Sequence, residues 1–442
     1  MKKILLALIF LCVSCKDDSQ QADPTPAPAP VQAKWAGTKD LGGPGFATES
    51  FRITKDNSDS MYVCGTTFGG LDGNTLTGTQ DAFVTKYDKA GVKQWTRQMG
   101  ASGGTVECWG ITFDQNNNIY MAGKTDAGLD GNTLAGLQDM FITKYDADGN
   151  KQWTNELGDL GHSAYVFGVV ADSQNNVYVT GFTDGNLDSN TLQGDTDFYL
   201  TKYDTNGVKQ WTNQIGALGG DTVAHSIAID SSDNIYIAGF TSTDFDGNTL
   251  IGNSDLFLQK LDSGGVPKWS KQLGVSGGNL NAEAITVDSL GNIYIAGSTD
   301  SGVDGHTQNG NWDALIIKFN SSGTKQWSEQ YGQASSNTYA HGITHDSNNY
   351  IYVSGQTSGA IDGNIMSGNT DFFCSKVNSI GTRVWTKELG SAVADAYGRG
   401  VAANSSDDVF VAGFTDGNLD NNTLKGTQDF FITKYNTSGT KQ

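Results

Sequence analysis

Residues 226–273 contain Ser226-Ile-Ala-Ile-Asp230, Ile235-Tyr-Ile-Ala-Gly-Phe-Thr241, Asp255-Leu-Phe-Leu-Gln-Lys-Leu261 and Lys268-Trp-Ser-Lys-Gln-Leu273, separated by segments rich in Gly, Ser, Asn and Asp. Each of the four runs has the length and the β-branched or aromatic content of a strand, and turn-forming residues bound each run. The unit therefore predicts one four-stranded antiparallel sheet.

The same unit recurs along the chain and carries one tryptophan in each copy. These tryptophans are Trp35, Trp95, Trp153, Trp211, Trp269, Trp327 and Trp385, and from Trp95 onward they are 58 residues apart. The last copy reaches Gln442 before its fourth strand, whereas residues 35–42 resemble that strand. We therefore expect the N-terminal segment to complete the last copy, with the large indoles anchoring the outer strands.

The third strand of every copy has two adjacent apolar residues, as at Phe83 and Val84. Adjacent strand residues point to opposite faces, so both faces of each sheet must be buried. An open stack of such sheets needs atypical capping repeats, whereas here the last copy lacks the strand that the N-terminal segment supplies. The sequence thus predicts an all-β fold, a seven-bladed β-propeller over residues 35–442 with four antiparallel strands per blade and the last blade closed by the N-terminal strand.

The repeated segments Asp-x-Phe-x-x-Lys-Tyr-Asp, Trp-Thr-x-Gln-Leu-Gly and Asn-x-Tyr-x-x-Gly-x-Thr, with Leu-Asp-Gly-Asn-Thr between them, resemble the SBBP family of bacterial β-propeller repeats. That family is often found on exported lipoproteins. The resemblance covers residues 35–442 and implies the seven-bladed fold. It implies no general reaction and no catalytic residue set.

The N-terminus has the layout of an export signal. Lys2 and Lys3 precede a short apolar run, and Cys15 follows a small residue, as in a bacterial lipobox. We predict a signal peptide over residues 1–14, a lipid anchor at Cys15 and a Pro-rich tether over residues 15–34, with simple secretion as the alternative. The expected location is the bacterial cell envelope, lipid-anchored at the outer membrane or cell surface.

The chain has 28 basic and 48 acidic residues, a formal net charge of −20. Nucleic acid is a poor partner for such a chain, because phosphate contacts need a basic surface. We expect a monomer that touches the membrane only through its lipid anchor. Cys64, Cys108 and Cys374 stand at three different repeat positions and are interpreted as buried small apolar residues, with a Cys64–Cys108 disulfide as the alternative.

An Asp-Gly-Asn theme recurs in the loop between the second and third strands. Its aspartates could supply oxygen ligands to Ca²⁺, although such loops also form turns without metal, and no other cofactor is expected. The candidate metal ligands are Asp72, Asp130, Asp188, Asp246, Asp304, Asp362 and Asp420. Asp81 and Lys86 recur unchanged in all seven copies, which favours a shared architectural role over catalysis. His341 and His345 would lie about 13 Å apart on one strand, too far for one zinc ion.

Two first-strand positions differ most between copies. We call the first the variable row: Phe51, Trp109, Phe167, His225, Glu283, His341 and Arg399. The position two residues earlier is the preceding row: Glu49, Glu107, Tyr165, Val223, Asn281, Tyr339 and Tyr397. First strands of a propeller lie beside its central channel, so these side chains could converge there on a ligand. The alternative is that they are blade contacts free to drift. The candidate ligand-binding residues are Trp109, Phe167, His225, Glu283, His341, Arg399, Tyr165, Tyr339 and Tyr397.

We therefore predict a non-enzymatic binding or adhesion module of the cell envelope that presents one propeller face to a protein or glycan. One alternative is a polysaccharide hydrolase or lyase at the channel mouth, with Glu49, Glu107 and Glu283 as candidate acids. Another is a purely structural envelope scaffold.

Overall fold

Seven four-stranded antiparallel sheets make up the computed structural model, which describes residues 35–442. The predicted signal peptide, the Cys15 anchor and the tether lie outside the described residues. The first strand of each sheet contacts the first strand of the next, and the first strand of the last sheet contacts that of the first. The sheets are therefore the blades of a closed seven-bladed β-propeller, as the sequence predicted, and the first strands surround its axis.

The strands of the first four blades follow one another along the chain. They are β2 (Thr48–Lys55), β3 (Met61–Thr67), β4 (Asp81–Tyr87) and β5 (Lys93–Met99); β6 (Val106–Phe113), β7 (Ile119–Thr125), β8 (Asp139–Tyr145) and β9 (Lys151–Leu157); β10 (Ala164–Ala171), β11 (Val177–Thr183), β12 (Asp197–Tyr203) and β13 (Lys209–Ile215); and β14 (Thr222–Ile229), β15 (Ile235–Thr241), β16 (Asp255–Leu261) and β17 (Pro267–Leu273).

The last three blades repeat this order, except that the seventh takes its fourth strand from the N-terminal segment. They are β18 (Leu280–Val287), β19 (Ile293–Thr299), β20 (Asp313–Phe319) and β21 (Lys325–Tyr331); β22 (Thr338–His345), β23 (Ile351–Thr357), β24 (Asp371–Val377) and β25 (Arg383–Leu389); and β26 (Ala396–Ala403), β27 (Val409–Thr415) and β28 (Asp429–Tyr435) with β1 (Lys39–Leu41). A 3-10 turn spans Leu187–Ser189. Within residues 35–442, no helix is long and apolar enough to cross a membrane.

Two chain segments build the outer strand of the seventh blade. Lys441 forms an antiparallel bridge with Tyr435 at the start of this strand. The Gly37 N–H then donates a hydrogen bond of 3.0 Å to the carbonyl of Gln442, and β1 continues the ladder along β28. The predicted closure is confirmed, and the change of segment accounts for the irregular spacing of Trp35.

The tryptophans connect neighbouring blades. Each indole lies against a glycine of the following blade, in its hairpin between the third and fourth strands, and Trp35 lies against Gly91. At Gly91, φ is +77°, and an added Cβ would lie 2.8 Å from the Trp35 ring. The glycine thus permits both the left-handed turn and the close approach of the indole. Trp35 is buried, and the other six are half-buried. These contacts run around the whole ring, with Trp35 joining the seventh blade to the first.

Cys64 of β3 and Cys108 of β6 form a disulfide between the first two blades, with their Cα atoms 6.1 Å apart. The interpretation of these two residues as unpaired was therefore wrong. They stand at different repeat positions, but the packing of β3 against β6 brings them together. Cys374 is buried and unpaired, as predicted.

Candidate functional site

A β-bulge interrupts the first strand of every blade at the variable row. In β6, for example, the pairing with β7 skips from Cys108 to Gly110, so Trp109 has no partner. The same skip occurs in the other six first strands. A bulge leaves its extra residue outside the ladder and redirects its side chain. The variable row is therefore the set of bulged residues, free of the pairing that constrains their neighbours.

Six of the seven bulged residues line one partly open cavity of about 120 Å³ on the propeller axis. They are Trp109, Phe167, His225, Glu283, His341 and Arg399, and the seventh lining residue is Arg52. Phe51 is buried instead, stacked on Trp109 with ring centroids 4.2 Å apart. The structure thus brings the variable row together, with Arg52 in the place of Phe51.

Arg52 was missed by sequence reasoning, although the repeats contain a signal for it. The equivalent residue is small in all six other copies: Gly110, Gly168, Ser226, Ala284, Gly342 and Gly400. These positions lie where neighbouring first strands approach closely, since a Cβ on Gly400 would be 3.1 Å from the Arg52 Cα. A long cationic side chain at this one position is the strongest departure from the repeat.

One side of the cavity is aromatic. The Phe167 ring lies 5.7 Å from Trp109 and 5.2 Å from His225, edge to face in both pairs. The Trp109 indole Nε1–H donates a hydrogen bond of 2.9 Å to Oε2 of Glu107. This bond fixes the indole and uses one oxygen of a candidate catalytic acid.

The other side of the cavity is charged. His225 Nδ1 lies 3.0 Å from the carbonyl oxygen of Ala282 and 3.6 Å from Oε2 of Glu283. Arg399 donates through Nη1 to Nε2 of His341 at 3.3 Å, which requires a neutral imidazole. Burial, with the nearby Arg399 charge, holds the pKa of His341 well below its usual range. His341 is therefore an uncharged acceptor at neutral pH.

The preceding row lies nearer one face of the propeller. This face, here the upper face, carries the loops between second and third strands and the connections between blades. Tyr165 stacks on Phe182 at 4.6 Å, Tyr339 lies 5.8 Å from Trp312, and Tyr397 is half-buried beside Arg399. A partner approaching the channel from the upper face would meet these rings before the cavity.

Glu49 is the most perturbed acid of the preceding row. Burial raises its pKa, the charge of Glu107 raises it further, and the charge of Arg399 lowers it. Glu107 itself lies 3.5 Å from Lys124, and Glu283 pairs with His225. The three candidate acids are thus in different environments, which is the condition under which carboxyl groups take different proton-transfer roles.

The Asp-Gly-Asn loops do not line the channel. In the first blade, Asp72 and Gly73 have φ of 54° and 81°, and the Asn74 N–H bonds the Leu71 carbonyl, which closes a tight turn. The Asp72 carboxylate forms an ion pair with Lys93 of the outer strand. Lysine or arginine pairs in the same way with the other aspartates except Asp246. No group of three His, Cys, Asp or Glu side chains within residues 35–442 is arranged to hold a metal ion. The loops fasten the outer edge of each sheet.

Asp81 and Lys86 do not pair with each other. Asp81 accepts backbone N–H groups of Thr77 and Gly78, both at 2.8 Å, and so holds the end of the long loop. Lys86 donates to the carbonyl of Ala147 in the second blade at 2.9 Å. Both contacts are architectural. His345 bonds Thr286 at 3.0 Å, away from the cavity that His341 lines.

The SBBP family, described as "Beta-propeller repeat", matches five segments of the chain: residues 94–130, 152–188, 210–246, 268–303 and 326–361. The chain belongs to the SBBP repeat family. Each match runs from the fourth strand of one blade to the long loop of the next, so the SBBP segment straddles the blade boundary.

Two curated relatives share parts of this SBBP propeller. An uncharacterized WD repeat-containing protein L264 of Acanthamoeba polyphaga mimivirus is 29% identical over 33% of this chain and 13% of its own length. The regulatory protein FlaEY of Caulobacter vibrioides is 27% identical over 52% of this chain and 26% of its own length. The SBBP chain thus spans about a quarter or less of these relatives.

Solved structures resemble the SBBP propeller at low sequence identity. A chain of a mitotic checkpoint complex has a TM-score of 0.49 and 12% identity, covering 90% of this chain and 96% of its own. A polysaccharide lyase of family PL25, an ulvan lyase, has a TM-score of 0.47 and 13% identity, covering 86% and 92%. Similarity at this level says nothing about a ligand or a reaction.

Proposed function

We propose that the chain is a non-enzymatic binding module of the bacterial cell envelope, which engages a protein or glycan partner through the upper face of its propeller. One observation carries the proposal: the positions that differ between the blades lie around the channel, while the repeated positions fasten strands, loops and neighbouring blades. A lipid anchor at Cys15 would hold the module at the membrane.

The size of the cavity favours a partner bound at the face over one bound inside. Pockets that enclose a drug-sized ligand have volumes of about 300–1,000 Å³, whereas this cavity has about 120 Å³. Tyr165, Tyr339 and Tyr397 present half-buried aromatic surface above it. Tyrosine supplies a large contact area with a polar end, which suits sugar rings and protein side chains alike.

A binding screen tests this proposal. The full chain is tested against glycans and against envelope and host proteins, and binding is then measured for Y165A, Y339A and Y397A. We expect each to weaken binding, by about tenfold if the ring is an interface anchor. L290A is the control, because Leu290 lies on the opposite face and is 73% exposed. Binding that depends on Leu290 and survives the three tyrosine changes would place the partner on the other face.

A polysaccharide hydrolase or lyase is the second candidate. It is favoured by the proximity of Glu49 and Glu107: burial and the nearby charge of Glu107 raise the pKa of Glu49, against the charge of Arg399, which lowers it. Glycoside hydrolysis uses two carboxyl groups whose different environments give them different roles. Release of reducing ends or of unsaturated products from envelope polysaccharides, abolished by E49Q and retained in E329Q, would establish it. Glu329 is the control because it pairs with Arg383 on the outer strands β21 and β25. A chain that binds a polysaccharide without cleaving it would exclude this candidate for that polysaccharide.

A further inference from the structure

The axial cavity is small and holds two arginines. Arg52 and Arg399 both line its wall. A water molecule takes up about 30 Å³ in the liquid, so about 120 Å³ corresponds to roughly four waters. An occupant must therefore be a small ion or one substituent of a larger molecule.

The two guanidinium groups donate few hydrogen bonds to other described residues. A guanidinium has five N–H groups, yet among the described residues Arg52 donates only to the carbonyl of Phe51, at 3.0 Å, and Arg399 only to His341. Nε of Arg399 is buried without a hydrogen-bond partner. Buried donors are nearly always satisfied in folded proteins, so this one points to an absent acceptor.

The arginine charges also lack a direct counter-ion. Within residues 35–442, neither Arg52 nor Arg399 has a carboxylate oxygen within 4.0 Å. Glu283 on the same wall acts on both arginines only from beyond that distance. Burial lowers the pKa of Arg52 to about 10, and the Arg399 charge lowers it further, against the favourable charge of Glu283. Arg52 stays protonated at neutral pH. Two cations therefore share the cavity with one carboxylate on its wall, Glu283, and with Glu49 near Arg399.

Arg52 is not required for the propeller to form at this position. The six other blades have glycine, serine or alanine there and keep the same bulge and the same strand order. A half-buried cation that the repeat does not need has an unfavourable desolvation energy unless an anion neutralises it.

We propose that the cavity binds one small oxyanion between Arg52 and Arg399, a sulfate, a phosphate or the carboxylate of an organic acid. Planar guanidinium groups bind such anions through paired, charge-assisted hydrogen bonds. The buried Nε of Arg399 is a donor for it, and neutral His341 keeps Arg399 in place. The proposal is independent of the partner on the upper face, since it depends on the interior alone.

Calorimetric titration of the full chain tests the proposal. Sulfate, phosphate and acetate are each added at constant ionic strength set with chloride. We expect saturable binding of at least one of them at one site per chain. R52S, which introduces the residue of the fourth blade, and R399Q should each weaken it by about tenfold or more, because each removes hydrogen bonds to a charged group. Binding of sulfate and phosphate but not of acetate would indicate that the natural ligand is an inorganic anion. Binding of acetate would indicate an organic carboxylate.

R97Q is the matched control, because Arg97 has the same charge but bonds the Gly149 carbonyl on the outer side of the sheet. It should bind the anion as the unchanged chain does. A crystal soaked in selenate gives a readout that does not depend on any variant folding, with an anomalous peak expected between Arg52 and Arg399. The proposal is overturned if none of the three anions binds saturably, if R52S and R399Q bind as R97Q does, or if selenate lies elsewhere.

Discussion

The side-chain amide of Gln98 donates a hydrogen bond of 2.9 Å to Oδ2 of the buried Asp81. The Gln98 carbonyl oxygen accepts the Leu71 N–H at 2.9 Å, so one glutamine ties the outer strand to the third strand and to the long loop. The third, fourth and fifth blades have the same amide bond.

Glutamate replaces this glutamine in the second and sixth blades, as Glu156 and Glu388. Burial raises the pKa of each to about 7, and the buried Oε2 atoms of both lack a partner. A carboxyl group can replace the amide donor only when it is protonated. Below the ordinary glutamate pKa both folded and unfolded states are protonated. As pH rises toward 7, the glutamate ionises in the unfolded state only, so the free energy of unfolding falls. Above about pH 7 it ionises in both states, and the loss stays constant.

We therefore expect E156Q to stabilise the chain above pH 7 by about 1–2 kcal/mol, a value reduced for partial solvent screening. The gain should vanish near pH 4.5. Denaturant unfolding at several pH values measures it, with Q214E as the reverse change that should introduce the same loss. Equal pH dependence in E156Q and the unchanged chain would show that Glu156 ionises normally.

Val393 has φ of 54° and is 89% exposed. Five other blades have glycine at this position, including Gly103 and Gly161, both with positive φ. A β-branched residue is strained in the left-handed region. V393G should therefore raise the free energy of unfolding by about 1 kcal/mol, and G161V should lower it. Denaturant midpoints test both, and a destabilised V393G would show that Val393 makes a favourable contact.

Trp35 is 3% exposed and lies against Phe410 of its own blade and Gly91 of the first. W35A should lower the free energy of unfolding by about 3 kcal/mol, the range for a buried aromatic residue. W211A is the control, because Trp211 is half-buried within the ring and away from the closure. A smaller loss in W35A than in W211A would argue that closure depends on the backbone ladder alone.

The Cys64–Cys108 disulfide closes a segment with a sequence separation of 44 residues. Reduction should lower the free energy of unfolding by about 2–4 kcal/mol through the entropy of the unfolded chain. Unfolding with and without a reductant measures the effect, and the double change C64A with C108A should show none. C374A, which removes the unpaired thiol, should keep the full response.

Chelation tests the calcium alternative for the Asp-Gly-Asn loops. Lysine or arginine already pairs with six of the seven aspartates, and the loop residues close tight turns. We expect the melting temperature to stay the same after EDTA treatment and after added Ca²⁺. A fall with EDTA that Ca²⁺ reverses would assign metal to these loops. D246N, in the blade without a basic partner, should then reduce the effect.

The repeat made the architecture predictable. Strand boundaries, the ring and its closure follow from a fixed period and from apolar residues on both sheet faces. The variable row could also be found, because copies that otherwise agree differ there. The β-bulge could not be predicted, since the alternation of inward and outward residues along a strand does not show which residue leaves the hydrogen-bond ladder. Phe51 is bulged like the rest of the variable row, yet its stacking on Trp109 leaves its place in the cavity to Arg52.

The disulfide illustrates a second limit. Cys64 and Cys108 belong to different copies and to different repeat positions. The two cysteines come into contact only because of the relative position of β3 and β6 when the two blades pack. The sequence of one blade does not predict that position.

The composite outer strand of the seventh blade has an evolutionary consequence. The closing strand β1 pairs with β28 through backbone bonds over three residues. These backbone bonds form regardless of how many copies of the repeat lie between β1 and β28 in the chain. A gene that gains or loses one whole 58-residue copy still encodes both halves of the closing sheet, so propellers of neighbouring blade number are one duplication or deletion apart.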